Sequence, residues 1–195
     1  MASVREGHQP VLLVVDVQVG VMAEAWQAPR VIGNVARVVA RAREQGVPVI
    51  WVQHANHELQ PGTPAWQWVP ALQPAAGEPR IFKRYNSGFE DTTLDAELAR
   101  LQATHIVLAG AATNWCIRAT AYGALERGYD LSLVRDAHTT ADIPLADGQH
   151  VPAAHLVSDL NLVMTWLEYP GRTNCVVGAD AVVFDRPPVH AGQAG

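Results

Sequence analysis

VLLVVDVQVGVMAEAWQAPRVIGNVARVVARAREQGVPVIWV, residues 11–52, decides the fold. Val11–Val15 is an unbroken apolar run that stops at Asp16, the pattern of a parallel strand buried on both faces. Val31, Val35, Val38, Val39 and Ala42 then recur at helical spacing, with Arg37, Arg41 and Arg43 on the other faces. Gly46 ends that helix, and Val47–Val52 supplies a second strand. Strand, helix and strand within about forty residues make a βαβ unit with a right-handed crossover.

The same alternation continues in both directions from this unit. His54–Pro79, rich in Pro, Gly and Trp, reads as a long surface-crossing loop placed to act as a lid over a site. Arg80–Lys83 reads as a short strand, and Thr92 as the cap of a helix carrying Leu94, Leu98 and Leu101. His105–Ala109 is a strand and Gly110 begins a turn. A helix from about Trp115 to Arg127 follows, ended by Gly128. Leu131–Val134 is a further strand ending at Asp136, and Pro152 opens a helix that runs to Trp166. Cys175–Val177 and Val182–Phe184 suggest a last strand and a trailing segment, and residues 186–195 a loose tail. The pattern predicts a three-layer, Rossmann-like α/β/α sandwich around a mostly parallel, roughly six-stranded sheet. The expected organisation is a single domain with an ordered core over about residues 8–186.

Composition narrows the function. A chain of 195 residues with 49% apolar and 17% charged residues buries a sizeable core and is globular. With a net charge of -5 and no Lys/Arg run, it lacks the electrostatic footprint of a nucleic-acid binder. The N-terminal stretch lacks an apolar run of signal-peptide length, and Val11–Val15 is far too short to span a bilayer. The expectation is a cytoplasmic protein without a membrane partner. Cys116 and Cys175 are too few for a disulfide scaffold and form no CxxC pair, so they read as free thiols and not as part of a zinc ribbon. Of the basic residues, thirteen are Arg and one is Lys83. A genome that favours arginine explains the scarcity of lysine but not the exception.

In folds of this kind chemistry sits beyond the carboxyl ends of the strands. Asp16 ends the first strand, Lys83 ends a short one, and Cys116 starts a helix just after the turn Gly110-Ala111-Ala112-Thr113-Asn114. A thiol attacks a carbonyl as the thiolate, which a helix N-terminus and a nearby ammonium both favour, so a depressed thiol pKa is expected. An aspartate can take the thiol proton and later pass it to a leaving amine. Backbone N–H groups of the turn can hold the oxyanion. Together these groups suffice for acyl transfer from an amide. Singly, Cys116 reads as a small buried hydrophobe, Asp16 as a turn residue and Lys83 as a solvated side chain.

Three stretches carry a resemblance: VLLVVDVQ (Val11–Gln18), KRYNSGFEDTTLDAEL (Lys83–Leu98) and HIVLAGAATNWCIRATAYGALERGYDLSLVRDAHTTAD (His105–Asp142). In this order they resemble the isochorismatase-like cysteine hydrolase superfamily, which includes nicotinamidases and N-carbamoylsarcosine amidohydrolases. The similarity runs over roughly residues 10–185, with GTPAW and YPGRT as subgroup features. It implies Asp16 as general base, Lys83 as the positioning ammonium and Cys116 as nucleophile. It also implies a cis peptide at Ala111–Ala112 and an oxyanion hole made by the N–H groups of Ala112 and Cys116. Gln18, Trp26, His54, Phe89 and Trp115 are candidates for substrate binding, with Trp66, Trp68 and Tyr85 as further candidates for the pocket wall.

Two departures from the family pattern bear on the substrate. Relatives often read Thr-Asp where this chain has Thr113-Asn114, followed by Trp115. That loses a carboxylate and adds a large aromatic. WVQHANH (Trp51–His57) lacks the Asp of the nicotinamidase Asp-x-His pair. His54 therefore reads as a structural or substrate-contacting residue, and no metal or organic cofactor is expected. His138 and Asp136 fit a structural turn. The resemblance implies an amidohydrolase acting on a small amide through a thioester. Its alternatives are a vinyl-ether C–O hydrolase that does not need Cys116, or a non-enzymatic interaction module on the same fold. Members of the family usually assemble, so a homodimer or homotetramer is expected.

Overall fold

Val11–Val15 have no exposed surface at all, as expected of a central strand covered on both faces. In the computed structural model, which describes residues 9–185, this run lies in β1 (Gln9–Val15). The chain continues through α1 (Val19–Met22), α2 (Ala28–Glu44), β2 (Val49–His54), β3 (Arg80–Lys83) and α3 (Leu94–Arg100). Then come β4 (Ala103–Ala111), a π-turn (Thr113–Ile117), α4 (Arg118–Glu126) and β5 (Asp130–Thr139). The described chain closes with a short antiparallel pair, β6 (Ile143–Pro144) and β7 (His150–Val151), then α5 (Ala153–Trp166) and β8 (Asn174–Val177). The loose tail expected at 186–195 lies outside the described residues.

Six strands form one parallel sheet in the order β3-β2-β1-β4-β5-β8. The chain winds outward from β1 in one direction, then returns to β4 and winds in the other. Helices therefore cover both faces, which is the α/β/α sandwich that the alternation predicted. On one face Val11, Leu13 and Val15 of β1, with Ile106 and Leu108 of β4, share a core with Leu94 and Leu98 of α3, Leu125 of α4 and Leu160 of α5. Leu12 and Val14 pack on the opposite face against Val31, Val35, Val38 and Ala42 of α2. The β1/β4 junction is where the winding reverses, and crevices open at such points beyond the strands' carboxyl ends.

Several element boundaries differ from the sequence reading. β5 continues past Val134 to Thr139, because an irregularity in its pairing with β4 lets Gly110 and Ala111 pair with His138 and Thr139. The helix after β4 begins as a π-turn and becomes regular only at Arg118. Thr92 sits one residue before the capping position, where its Oγ1 accepts from the Leu94 N–H and donates to the Gly88 carbonyl. Val182–Phe184 form no strand. Val182 and Phe184 are buried on the α2 face, and Arg41 of α2 donates to the carbonyls of Asp180 and Val182.

The 54–79 segment is also more firmly held than a lid. Leu59, Trp68, Val69 and Leu72 are buried, and Trp68 meets Trp51 edge-on at 5.3 Å. Glu78 anchors its far end by accepting from Arg43, Trp51 Nε1 and the Ala75 N–H.

Two buried histidines sit on polar partners at opposite ends of the sheet. His105 Nε2 lies 2.8 Å from Ser132 Oγ, which in turn lies 3.2 Å from Cys175 Sγ. His138 is enclosed near the end of β5. Burial pushes both imidazoles from 6.5 down to about 4. Both are thus neutral when folded, and the unfolded chain binds more protons between those values. Stability should be full above about pH 6.5 and fall toward pH 4 at about 1.4 kcal/mol per pH unit for each histidine. Urea titrations across that window should show the slope, and His105→Gln or His138→Gln should each make it shallower; a flat profile would contradict it. A second expectation concerns Gly110, whose φ of +128° puts any Cβ inside the backbone of Val15. Gly110→Ala should cost about 3 kcal/mol or more by the same titration.

Candidate active site

The three strand-end residues converge at the β1/β4 crevice. Asp16 follows β1 with a left-handed backbone (φ +52°), a conformation that aspartate tolerates better than most residues. Its N–H donates to the Val52 carbonyl at 2.8 Å, which keeps it in line with the sheet. Lys83 is the last residue of β3 and pairs in register with His54, the last residue of β2. Cys116 lies in the π-turn, directly beyond β4.

Lys83 joins them. Its side chain has no exposed surface, and its Nζ lies 2.7 Å from Asp16 Oδ2. The same Nζ lies 3.1 Å from Cys116 Sγ, from His54 Nδ1 and from the Tyr85 carbonyl oxygen. Four acceptors thus surround three N–H donors. Asp16, His54 and Cys116 each present a donor atom within 4.8 Å of the others, a spacing at which side chains of these types hold cations. The lysine ammonium lies within hydrogen-bonding distance of all three.

This enclosure sets the protonation states. Burial works against the Lys83 ammonium, but Asp16 and Cys116 outweigh it and hold its pKa above the ordinary value. Burial raises the Asp16 carboxyl, against the pull of Lys83, and so makes it a better proton acceptor than an exposed aspartate. The thiol departs from the sequence expectation. Burial and then the neighbouring Asp16 carboxylate push Cys116 up to about 12, against the opposing pull of Lys83. The resting sulfur is therefore a thiol. Burial lowers the His54 pKa, assisted by Lys83, which leaves a neutral imidazole whose Nδ1 is free to accept.

The turn that carries Cys116 is held from β5. His138 Nδ1 lies 2.9 Å from Thr113 Oγ1, and its Nε2 lies 3.0 Å from Asn161 Oδ1. Thr140 Oγ1 donates to Asn114 Oδ1 at 2.6 Å. The peptide between Ala111 and Ala112 is cis. His138 thus braces the turn that carries Cys116, and Asp136 accepts from the Ala179 N–H. Thr113, Asn114, His138 and Thr140 follow the strand ends read from the sequence, but the contribution of Asn161, midway along α5, comes from a contact distant in sequence.

The expected pocket wall divides into exposed and enclosed residues. Trp26 and Trp115 are exposed, and Trp26 is tied to the end of β5 by its N–H to the Thr140 carbonyl. Tyr85 is also exposed, whereas Trp66 stacks on Phe82 at 6.0 Å. His57 lies outside the donor cluster, 3.7 Å from Glu58. Gln18 and Phe89 are largely enclosed, and Trp68 is packed against Trp51. Phe89 is packed between Tyr129 and Arg127. Gln18 is fully enclosed: its amide oxygen accepts from the His54 N–H, and its nitrogen donates to the carbonyls of His54 and Trp66. Any main-chain group enclosed this deeply needs a partner, and Gln18 supplies three.

Comparison with known proteins gives the family and the fold. Residues 10–164 match the family profile described as the isochorismatase domain. The chain is 36% identical to a streptothricin hydrolase of Streptomyces noursei over 73% of its own length and 55% of that protein's, so it spans about half of this relative. It is 31% identical to the maleamate amidohydrolase of Pseudomonas putida, over 67% of this chain and 72% of that one. A crystal structure of an isochorismatase from Pseudomonas putida KT2440 superposes with a TM-score of 0.80 at 27% identity, covering 90% of this chain and 91% of the other. With a parallel sheet that reverses at β1/β4 and a family match across most of its length, the chain belongs to the isochorismatase family.

Proposed function

We propose that the chain is a cysteine hydrolase that opens the C–N bond of a small amide through a thioester on Cys116. The observation that carries this reading is the enclosed Lys83 ammonium, 2.7 Å from a carboxylate oxygen and 3.1 Å from a thiol sulfur. Relatives named maleamate amidohydrolase and ureidoacrylate amidohydrolase support the choice of a C–N bond.

The protonation states suggest the order of events. Because the resting sulfur is a thiol, its proton leaves as the S–C bond forms. Asp16, made more basic by burial, receives it. Lys83 balances the negative charge that moves between carboxylate and sulfur. The carbonyl oxygen becomes an oxyanion held by the N–H groups of Ala112 and Cys116. Asp16 returns the proton to nitrogen as the C–N bond breaks, releasing ammonia or an amine and leaving the thioester. Water then attacks the thioester, Asp16 takes its proton, the S–C bond breaks and the sulfur regains its hydrogen. Substrate would enter past the exposed rings of Trp26 and Trp115.

Cys116→Ala should abolish release of ammonia from a panel of primary amides, ureido acids and lactams, and an acyl adduct on the native protein should match substrate minus ammonia. Survival of activity in that variant would overturn the thioester and favour C–O cleavage. Charge also makes an opposed pair of predictions. Asp16→Asn removes the carboxylate that raises the thiol pKa, so iodoacetamide should label Cys116 faster even as hydrolysis is lost. Lys83→Met should slow the same labelling. Equal effects of the two variants on labelling would contradict the roles assigned to them.

A further inference from the structure

His54 stands beside the three residues of the proposed chemistry without a role in it. The β2–β3 register places its ring directly against Lys83, since His54 and Lys83 are ladder partners at the ends of their strands. The contact is through Nδ1, at 3.1 Å from Nζ. An ammonium only donates, so Nδ1 accepts and the ring hydrogen sits on Nε2. The backbone of His54 is gripped on both sides by Gln18, which accepts from the His54 N–H at 2.9 Å and donates to the His54 carbonyl at 3.0 Å. This grip accounts for an enclosed glutamine two residues after Asp16 whose amide is spent on main-chain groups.

We propose that His54 is a positioning residue: gripped by Gln18, it accepts a hydrogen bond from Lys83 and keeps the ammonium aimed between Asp16 and Cys116. This inference rests on the cysteine-hydrolase reading for its consequence in turnover, but its geometry concerns the resting protein. A long flexible lysine with only the carboxylate as anchor would swing about that contact. With His54 and the Tyr85 carbonyl as further acceptors, its position relative to the sulfur is fixed. The groups facing the ring are Asp16 after β1, Lys83 at the end of β3 and Cys116 in the π-turn. The alternative role, direct contact with substrate, would use the other ring nitrogen.

The two nitrogens can be tested separately. Asparagine places an acceptor oxygen near the position of Nδ1, whereas glutamine reaches the position of Nε2. His54→Asn, His54→Gln and His54→Ala are compared in the full chain, with circular dichroism to check folding. The readout is the rate at which iodoacetamide alkylates Cys116 at mildly alkaline pH, with Cys175 counted on its own peptide. Lys83→Met sets the rate for a sulfur without its ammonium. The expected result is a rate close to wild type for Asn and a loss of about tenfold for Gln and Ala, equivalent to one unit of thiol pKa. On any amide the protein hydrolyses, the loss should fall on kcat and leave KM near its wild-type value. Rescue by Gln and not Asn, rescue by neither, or no loss with Ala would overturn the proposal. Alkylation needs no turnover, so this outcome is independent of whether Cys116→Ala abolishes hydrolysis.

Discussion

An ammonium with no access to water must find all its acceptors within the protein, and Lys83 finds a carboxylate, an imidazole, a thiol and a main-chain carbonyl. Each comes from a different part of the chain: after β1, at the end of β2, in the π-turn and just beyond β3. The cost of burying that charge is offset only when all these parts are in place. The crevice is thus linked to the assembly of the sheet itself, because the four acceptors come together only with the strand order β3-β2-β1-β4.

The sheet order also explains the division of labour between the two faces. α2 and the trailing segment cover one side, while α3, α4 and α5 cover the other. The reactive groups project from strand ends and their following turns, and the packed layers hold those ends at fixed spacing. Gly110 shows how tight this is, since even a methyl group there would collide with the backbone of β1.

Much of this was legible in the sequence. An unbroken apolar run followed by an amphipathic helix and a second apolar run is the pattern of a buried parallel strand, which located β1; the apolar stripe of α2 was equally direct. Lys83 was conspicuous as the single lysine, and Cys116 and Asp16 by their places after strands. Effects that arise from contacts distant in sequence were not legible. Gln18 reads as a polar residue beside a site, and only the return of β2 and the 54–79 segment against it reveals a main-chain anchor. The extension of β5 to Thr139 depends on an irregular pairing with β4, and periodicity within one strand carries no sign of it. The thiol pKa reversed because motif spacing brings charges together but does not report how completely water is excluded around them.

The solitary lysine has a consequence for how this molecule can be observed. Since the chain has one lysine and its side chain is wholly enclosed, no lysine amine is presented to solvent. Reagents that acylate lysine side chains have no surface lysine to attack, so modification of Lys83 itself would register the opening of the crevice. Nitrogen-15 lysine would give a single side-chain resonance, free of any other lysine, and that one signal would come from the centre of the site. A feature that began as a compositional oddity is a built-in spectroscopic probe.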